Sequence, residues 1–250
     1  MIKTLLDIIN FSLILEFVAA VVATFSYIKI KKLKTQTFKF LSIYLWIVIS
    51  VEVLGSYTFL ICPYKFDELP FFINNPEWSK NYWLFNIYTA IAYMFYTWYF
   101  FKQLISSKKK SIVIYSMITF NIITIFDFIF GEIFFIGYSQ LMNLFGLILI
   151  VMVLCMYYYE ILTSDRILEI THKLPFYISV GVLLYFISVT PLFLSSQYIK
   201  SEEIVFTKYY RLILSYANYF LYGIIIFGIV KCYWFNKSQS TKFSSSPTLS

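Results

Sequence analysis

Seven apolar runs, each about as long as the 20 residues a helix needs to cross a hydrocarbon core of about 30 Å, account for most of this chain. They cover Leu5–Ile28, Phe40–Ile61, Tyr82–Phe101, Ser111–Phe130, Ser139–Ile161, Leu174–Ser195 and Tyr209–Val230. Backbone polar groups find no water inside lipid, so segments of this kind satisfy them internally, as helices. Composition points the same way. Hydrophobic residues make up 60% and charged residues 13% of the 250, against about 45–50% and 25% in soluble domains. The expected fold is an all-α integral membrane protein, a seven-transmembrane-helix bundle over residues 1–235. Residues 236–250, rich in Ser, Thr and Lys, are expected to form a disordered cytoplasmic tail.

Basic residues give the bundle a direction. Fourteen of the 20 lie after the odd-numbered runs, including Lys29, Lys31, Lys32, Lys34 and Lys39, and Lys102, Lys108, Lys109 and Lys110. Positive loops stay inside, so the N-terminus is expected outside and the C-terminus in the cytoplasm. The net charge of +7 is then a matter of topology and of anionic lipid headgroups, with no nucleic acid implied. A cleaved signal peptide is disfavoured because Glu16 interrupts the apolar region such a segment needs. Abundant Phe, Tyr, Ile and Lys suit an AT-rich bacterial genome, which makes a bacterial inner membrane the expected location.

A weak duplication is visible. Runs one to three and five to seven share the same alternation of direction, with the fourth as a linker. An offset of 128 residues aligns Lys80, Tyr82, Leu84 and Tyr88 with Lys208, Tyr210, Leu212 and Tyr216. Such a 3+1+3 pseudo-repeat is a plan that small carriers and seven-helix receptors share.

Polar residues inside the runs are the functional signal, because hydrocarbon penalises each ionisable group by a few kcal/mol. Counted from the run ends, Glu16, Glu52, Asn121 and Asn218 fall near mid-membrane. Asn86, Asp127, Asn143 and Arg211 fall in the outer third. Helical spacing puts Arg211, Ser215, Asn218 and Tyr222 on one face, and Ser12, Glu16, Ala20 and Ala23 on another. Asn86, Thr89, Tyr93 and Thr97 form a third. The candidate site for a ligand, ion or proton is therefore Glu16, Glu52, Asn86, Tyr93, Asn121, Asp127, Asn218 and Arg211. Glu16 and Glu52 can share a proton, hold a cation or face a ligand amine. Asp127 and Arg211 are a candidate ion pair. Pro191 is placed to bend the sixth run and open a cavity. The connection Cys62–Asn81, with its apolar Leu69–Ile73 patch, is a candidate outer lid. The segment from Thr163 to Leu174 is expected to be a solvated connector or a partner contact.

Several chemistries find no support. There is no phosphate-binding loop, dinucleotide fingerprint, HExxH pair or nucleophile elbow, so no enzyme is expected. Three scattered cysteines and one histidine, His172, assemble no metal or haem site in the usual way, and no cofactor is expected. Retinal chemistry needs a lysine inside a late span, where only Lys208 and Lys231 flank the seventh run. A ligand sensor relaying to a cytoplasmic signalling partner is the first reading. A small-solute or proton/cation-coupled transporter is the second, and a homo-oligomeric pore the third.

Overall fold

The computed structural model describes residues 2–29, 35–58, 77–78, 80–131, 133–195 and 204–244. Seven long helices carry them: α1 (Ile2–Lys29), α2 (Gln36–Gly55), α3 (Tyr82–Phe101), α4 (Ser107–Phe130), α5 (Gln140–Leu162), α6 (Leu174–Ser195) and α7 (Ile204–Ser244). A 3-10 helix, Asp165–His172, joins α5 to α6, and no strand occurs among the described residues. Six of the seven are long and apolar enough to cross a membrane. The sequence leads one to expect seven. The difference is α3, whose polar-tipped tyrosines and tryptophans lower its hydropathy, although it is as long as α2.

Local signals set the ends. Thr35 caps α2 by accepting from the Phe38 amide at 3.3 Å. Ser139 caps α5 by accepting from Met142 at 3.1 Å. Each side-chain oxygen satisfies a donor that the first turn leaves without a partner.

The packing order closes a ring. Helix α1 packs against α2 and α7, α2 against α3, α3 against α5, α5 against α6, and α6 against α7. Helix α4 stands outside that ring, against α3 and α5. It buries only Val113, Phe120, Thr124 and Asp127 and turns residues such as Ile122 and Ile129 outward. An apolar outer surface suits lipid contact, where burial against protein gains little. The ring is thus made of α1, α2, α3, α5, α6 and α7.

Glycines set the closest approaches. A Cβ on Gly146 of α5 would lie 2.5 Å from the Tyr93 ring of α3. One on Gly181 of α6 would lie 2.6 Å from Ile224 of α7, and one on Gly228 of α7 would lie 2.7 Å from Tyr177 of α6. Small residues let helix backbones approach closely inside a membrane. On α1 the same part is played by Ala19, Ala20 and Ala23, all fully buried.

The two ends of the bundle differ in lysine content, although Lys80 lies over Tyr82 at the start of α3. At one end Lys29, Lys102, Lys109, Lys110 and Lys231 each lie over an aromatic ring, the closest being Lys109 at 4.3 Å from the centroid of Tyr159. Stems lie along apolar surface while the ammonium groups reach outward. The 3-10 connector docks at this same end: His172 stacks on Phe235 at 4.1 Å and its carbonyl accepts from the Cys232 thiol at 3.3 Å. It touches α7 at His172, while Asp165, Ile167, Glu169, Thr171 and His172 are exposed, as a solvated connector would be. Helix α7 continues to Ser244, past Asn236, where a disordered tail is expected from composition. Extending an existing helix adds one hydrogen bond per residue with no new nucleation cost, so a polar stretch can follow an anchored one. The proposed lid segment Leu69–Ile73 and residues 245–250 lie outside the described residues.

Candidate functional site

A cavity of about 490 Å³ lies in the half of the bundle away from the lysine-bearing end. Its walls come from the first turns of α3, the end of α2, the middle of α1, Tyr185 and Phe193 in the second half of α6, and α7 between Leu214 and Tyr222, with Tyr138 from the α4–α5 connection. Glu16 and Ser12 enter from α1, Glu52 from α2, Thr89 and Tyr88 from α3, and Ser215 and Asn218 from α7. The helical faces read from the sequence explain this convergence. Ser12 and Glu16 are one turn apart, and Ser215, Asn218 and Tyr222 share one stripe of α7.

The two carboxylates differ in their surroundings. Glu16 is 1% exposed. One of its oxygens accepts from the Ser12 hydroxyl at 3.1 Å, while the other, Oε2, has no hydrogen-bond partner among the described residues. Glu52 is partly exposed and within electrostatic reach of Glu16. Two acids near one another in an enclosed space repel, and removing either from water costs several kcal/mol unless something compensates. Tyr185 and Tyr222 also lie within electrostatic reach of the pair.

Below the cavity the bundle is sealed. Tyr88, Tyr185 and Tyr222 line the floor and also bound a second void of only about 20 Å³. Tyr96, Phe100, Leu45, Ile150, Ile178 and Ile225 follow, each 1% exposed or less. Among the described residues the cavity is a cul-de-sac with its blind end toward the lysines.

The other expected site residues fall elsewhere. Asn86 is fully buried, and all of its hydrogen bonds serve the α4–α5 connection. Its amide donates to the carbonyls of Phe134 at 3.1 Å and Gly137 at 2.9 Å, and its oxygen accepts from the Ser139 amide at 3.2 Å. Asp127 accepts from the Ser139 hydroxyl in the same loop. Tyr93 bonds the Asn143 carbonyl at 3.2 Å and the Thr190 hydroxyl at 3.3 Å while stacking on Phe186 at 4.4 Å. These three tie α3, α4, α5 and α6 together. Asn121 donates back to the Met117 carbonyl at 2.8 Å and borders a nearly apolar outer groove between α2, α3 and α4. Buried polar groups of this kind are satisfied, not waiting for a ligand.

Arg211 is a correction. It is exposed and does not line the cavity, and it forms no ion pair with Asp127 among the described residues. Asp127 belongs to peripheral α4, whereas Arg211 belongs to α7, which packs on α1 and α6. Only Glu16, Glu52 and Asn218 of the eight candidates are brought together.

Two features escape a sequence reading. Tyr138, Tyr185 and Phe193 line the cavity but look like any aromatic in an apolar run. Glu160, near the end of α5, accepts from the amides of Ile105 at 2.7 Å and Ser106 at 3.0 Å, and lies 3.5 Å from Lys109. It satisfies the backbone where α4 begins, a pairing across 54 residues that no local spacing reveals.

Fold and site together define a multi-pass helical membrane-type protein with a cavity of about 490 Å³ that two carboxylates line. The chain matches no protein-family model, no curated protein and no solved structure.

Proposed function

We propose that this protein is a seven-span membrane receptor whose cavity binds a small ligand from the outside and whose last helix carries the response to a cytoplasmic partner. The observation that carries the reading is Glu16: a fully buried carboxylate with an unpartnered oxygen on the wall of a cavity of about 490 Å³. That size falls in the range of small-molecule sites. The seventh crossing is α3, whose ends meet α2 at one face and the α4 start at the other. The lysine-bearing end is the cytoplasmic one by the positive-inside rule, in a bacterial inner membrane.

The relay is supported by α7. One unbroken helix runs from the cavity wall at Leu214, Ser215 and Asn218 to Ser244, a length of about 45 Å. It passes the connector at His172 on the way. A ligand that shifts α7 therefore moves a helix end and a docked connector at the cytoplasmic face, which is the surface a signalling partner would read. No catalytic part is assigned to any residue.

Accessibility tests the reading. In a background with Cys62, Cys155 and Cys232 replaced by Ala, a Ser215→Cys variant is expected to react with a membrane-impermeant thiol reagent added outside intact cells. Labelling only after permeabilisation would reverse the direction of the site.

A transporter is the second reading, favoured by the closed ring of two three-helix sets with α4 outside it. Alternating access is commonly built on such repeats. It requires that the seal below Tyr88, Tyr185 and Tyr222 opens. Solute uptake into proteoliposomes that disappears in Glu16→Gln or Glu52→Gln would select it over the receptor.

A further inference from the structure

We propose that the cavity is built for a small organic cation: an amine or quaternary ammonium compound carrying an apolar or aromatic body. This deepens the binding reading above and rests on it.

Charge is the first ground. Among the described residues the cavity lining holds two carboxylates, Glu16 and Glu52, and no lysine, arginine or histidine. Arg211, the basic residue expected on the same stripe of α7 as Ser215 and Asn218, is turned away. An anionic ligand would add to the repulsion already present. A cation relieves the repulsion between the two acids without the shared proton that a neutral ligand would require.

The unpartnered Oε2 of Glu16 is the second ground, independent of the charge count. Buried polar oxygens rarely lack a donor, and this one belongs to a residue that lines the cavity of about 490 Å³. An ammonium group supplies both the missing donor and the missing charge.

Ring chemistry is the third. Phe85, Tyr88, Tyr138, Tyr185, Phe193 and Tyr222 line the same space. Aromatic faces attract cations, and the attraction grows where water is excluded. The rings also offer apolar area to a ligand body.

The donor set favours an organic cation over a bare divalent metal ion. Among the described residues no group of three or more His, Cys, Asp or Glu is placed to hold one.

The experiment compares phenyltrimethylammonium with its neutral isostere tert-butylbenzene and with the anion benzenesulfonate, on the full-length protein in lipid nanodiscs. Thermal unfolding and quenching of intrinsic fluorescence are read across a concentration series. Phenyltrimethylammonium is expected to bind saturably, with affinity at least about tenfold above the isostere, or about 1.4 kcal/mol, and benzenesulfonate not at all. The Glu16→Gln/Glu52→Gln variant, which keeps side-chain shape, is expected to lose that preference while still binding the isostere. Its unliganded unfolding midpoint, and retained isostere binding, report that it is folded. Equal binding of cation and isostere by the native protein overturns the cationic class and leaves the receptor reading standing. A cation preference that survives the double substitution also overturns it. Outside labelling of Ser215→Cys that fails marks instead the loss of the receptor reading, whatever the nanodisc result.

Discussion

Asn86 and Asn218 look alike in the sequence, two amides inside apolar runs, and the fold gives them opposite roles. Asn86 makes three hydrogen bonds to the backbone of the α4–α5 connection and is fully buried. Asn218 lines the cavity. Asn86→Ala strands two carbonyls and an amide, and each buried unsatisfied group costs about 1–3 kcal/mol. The variant is expected to unfold at clearly lower temperature and denaturant. Asn218→Ala is expected to leave the unfolding midpoint within experimental scatter while weakening ligand binding. The same reasoning applies to Gly146. A methyl there meets Tyr93 ring atoms at 2.5 and 2.6 Å, and Tyr93 is held by Phe186, Asn143 and Thr190. Gly146→Ala is expected to destabilise by about 1–3 kcal/mol, the range for overpacking a well-filled core. A midpoint equal to that of the native protein would mean that α3 and α5 can part at no cost. Both acids and their polar neighbours on α1 and α7 were legible in the sequence because cost in hydrocarbon singles them out. Which polar residues were already satisfied was not legible. A hydrogen bond from Asn86 to Gly137 spans 51 residues, and no periodicity encodes its partner.

At the scale of elements, the start of α4 depends on a side chain from another helix. Ser106 precedes α4 without a side-chain cap bond of its own, and the carboxylate of Glu160 on α5 takes the local amides instead. A negative group at a helix N-terminus also meets the positive end of the helix dipole. Glu160→Gln keeps the volume and one good acceptor but removes the charge that faces Lys109. It is expected to cost about 1 kcal/mol, in line with the loss of one charge-assisted hydrogen bond. Amide exchange at Ile105 and Ser106 should accelerate, with α6 and α7 unchanged. Exchange that stays at the native rate would mean that packing against α3 and α5 alone fixes this turn. Helix positions were readable from the runs to within a few residues, since length and apolarity are local properties. The extension of α7 to Ser244 was not, because it depends on the anchored helix before it and on the connector packed beside Phe235.

For the whole molecule, the open matter is how many times the chain crosses, and α3 decides it. By composition alone only six helices qualify, and an even number of crossings would put both termini on one side. Packing argues for the odd number. Helix α3 lies against α2, α4 and α5, three helices that do qualify. At its first turn Asn81 donates to the Gly55 carbonyl at the end of α2, at 3.0 Å. At its last turn Lys102 lies over Trp98 and Phe101, near the start of α4. Its 20 residues rise about 30 Å, so α3 runs the full height of its neighbours, antiparallel to α2. Its Tyr and Trp content is tolerable because the polar tips turn into the bundle: Tyr93, Tyr96 and Tyr99 are all buried. A helix shielded by protein on several sides needs less hydrophobicity than one bathed in lipid. In a cysteine-free background, Glu77→Cys is expected to react with impermeant thiol reagent from outside intact cells. Ser107→Cys, exposed at the opposite end, is expected to react only after permeabilisation. If both sites label from the same side, α3 does not cross, the termini share a compartment, and α7 cannot connect an outward cavity to the cytoplasm.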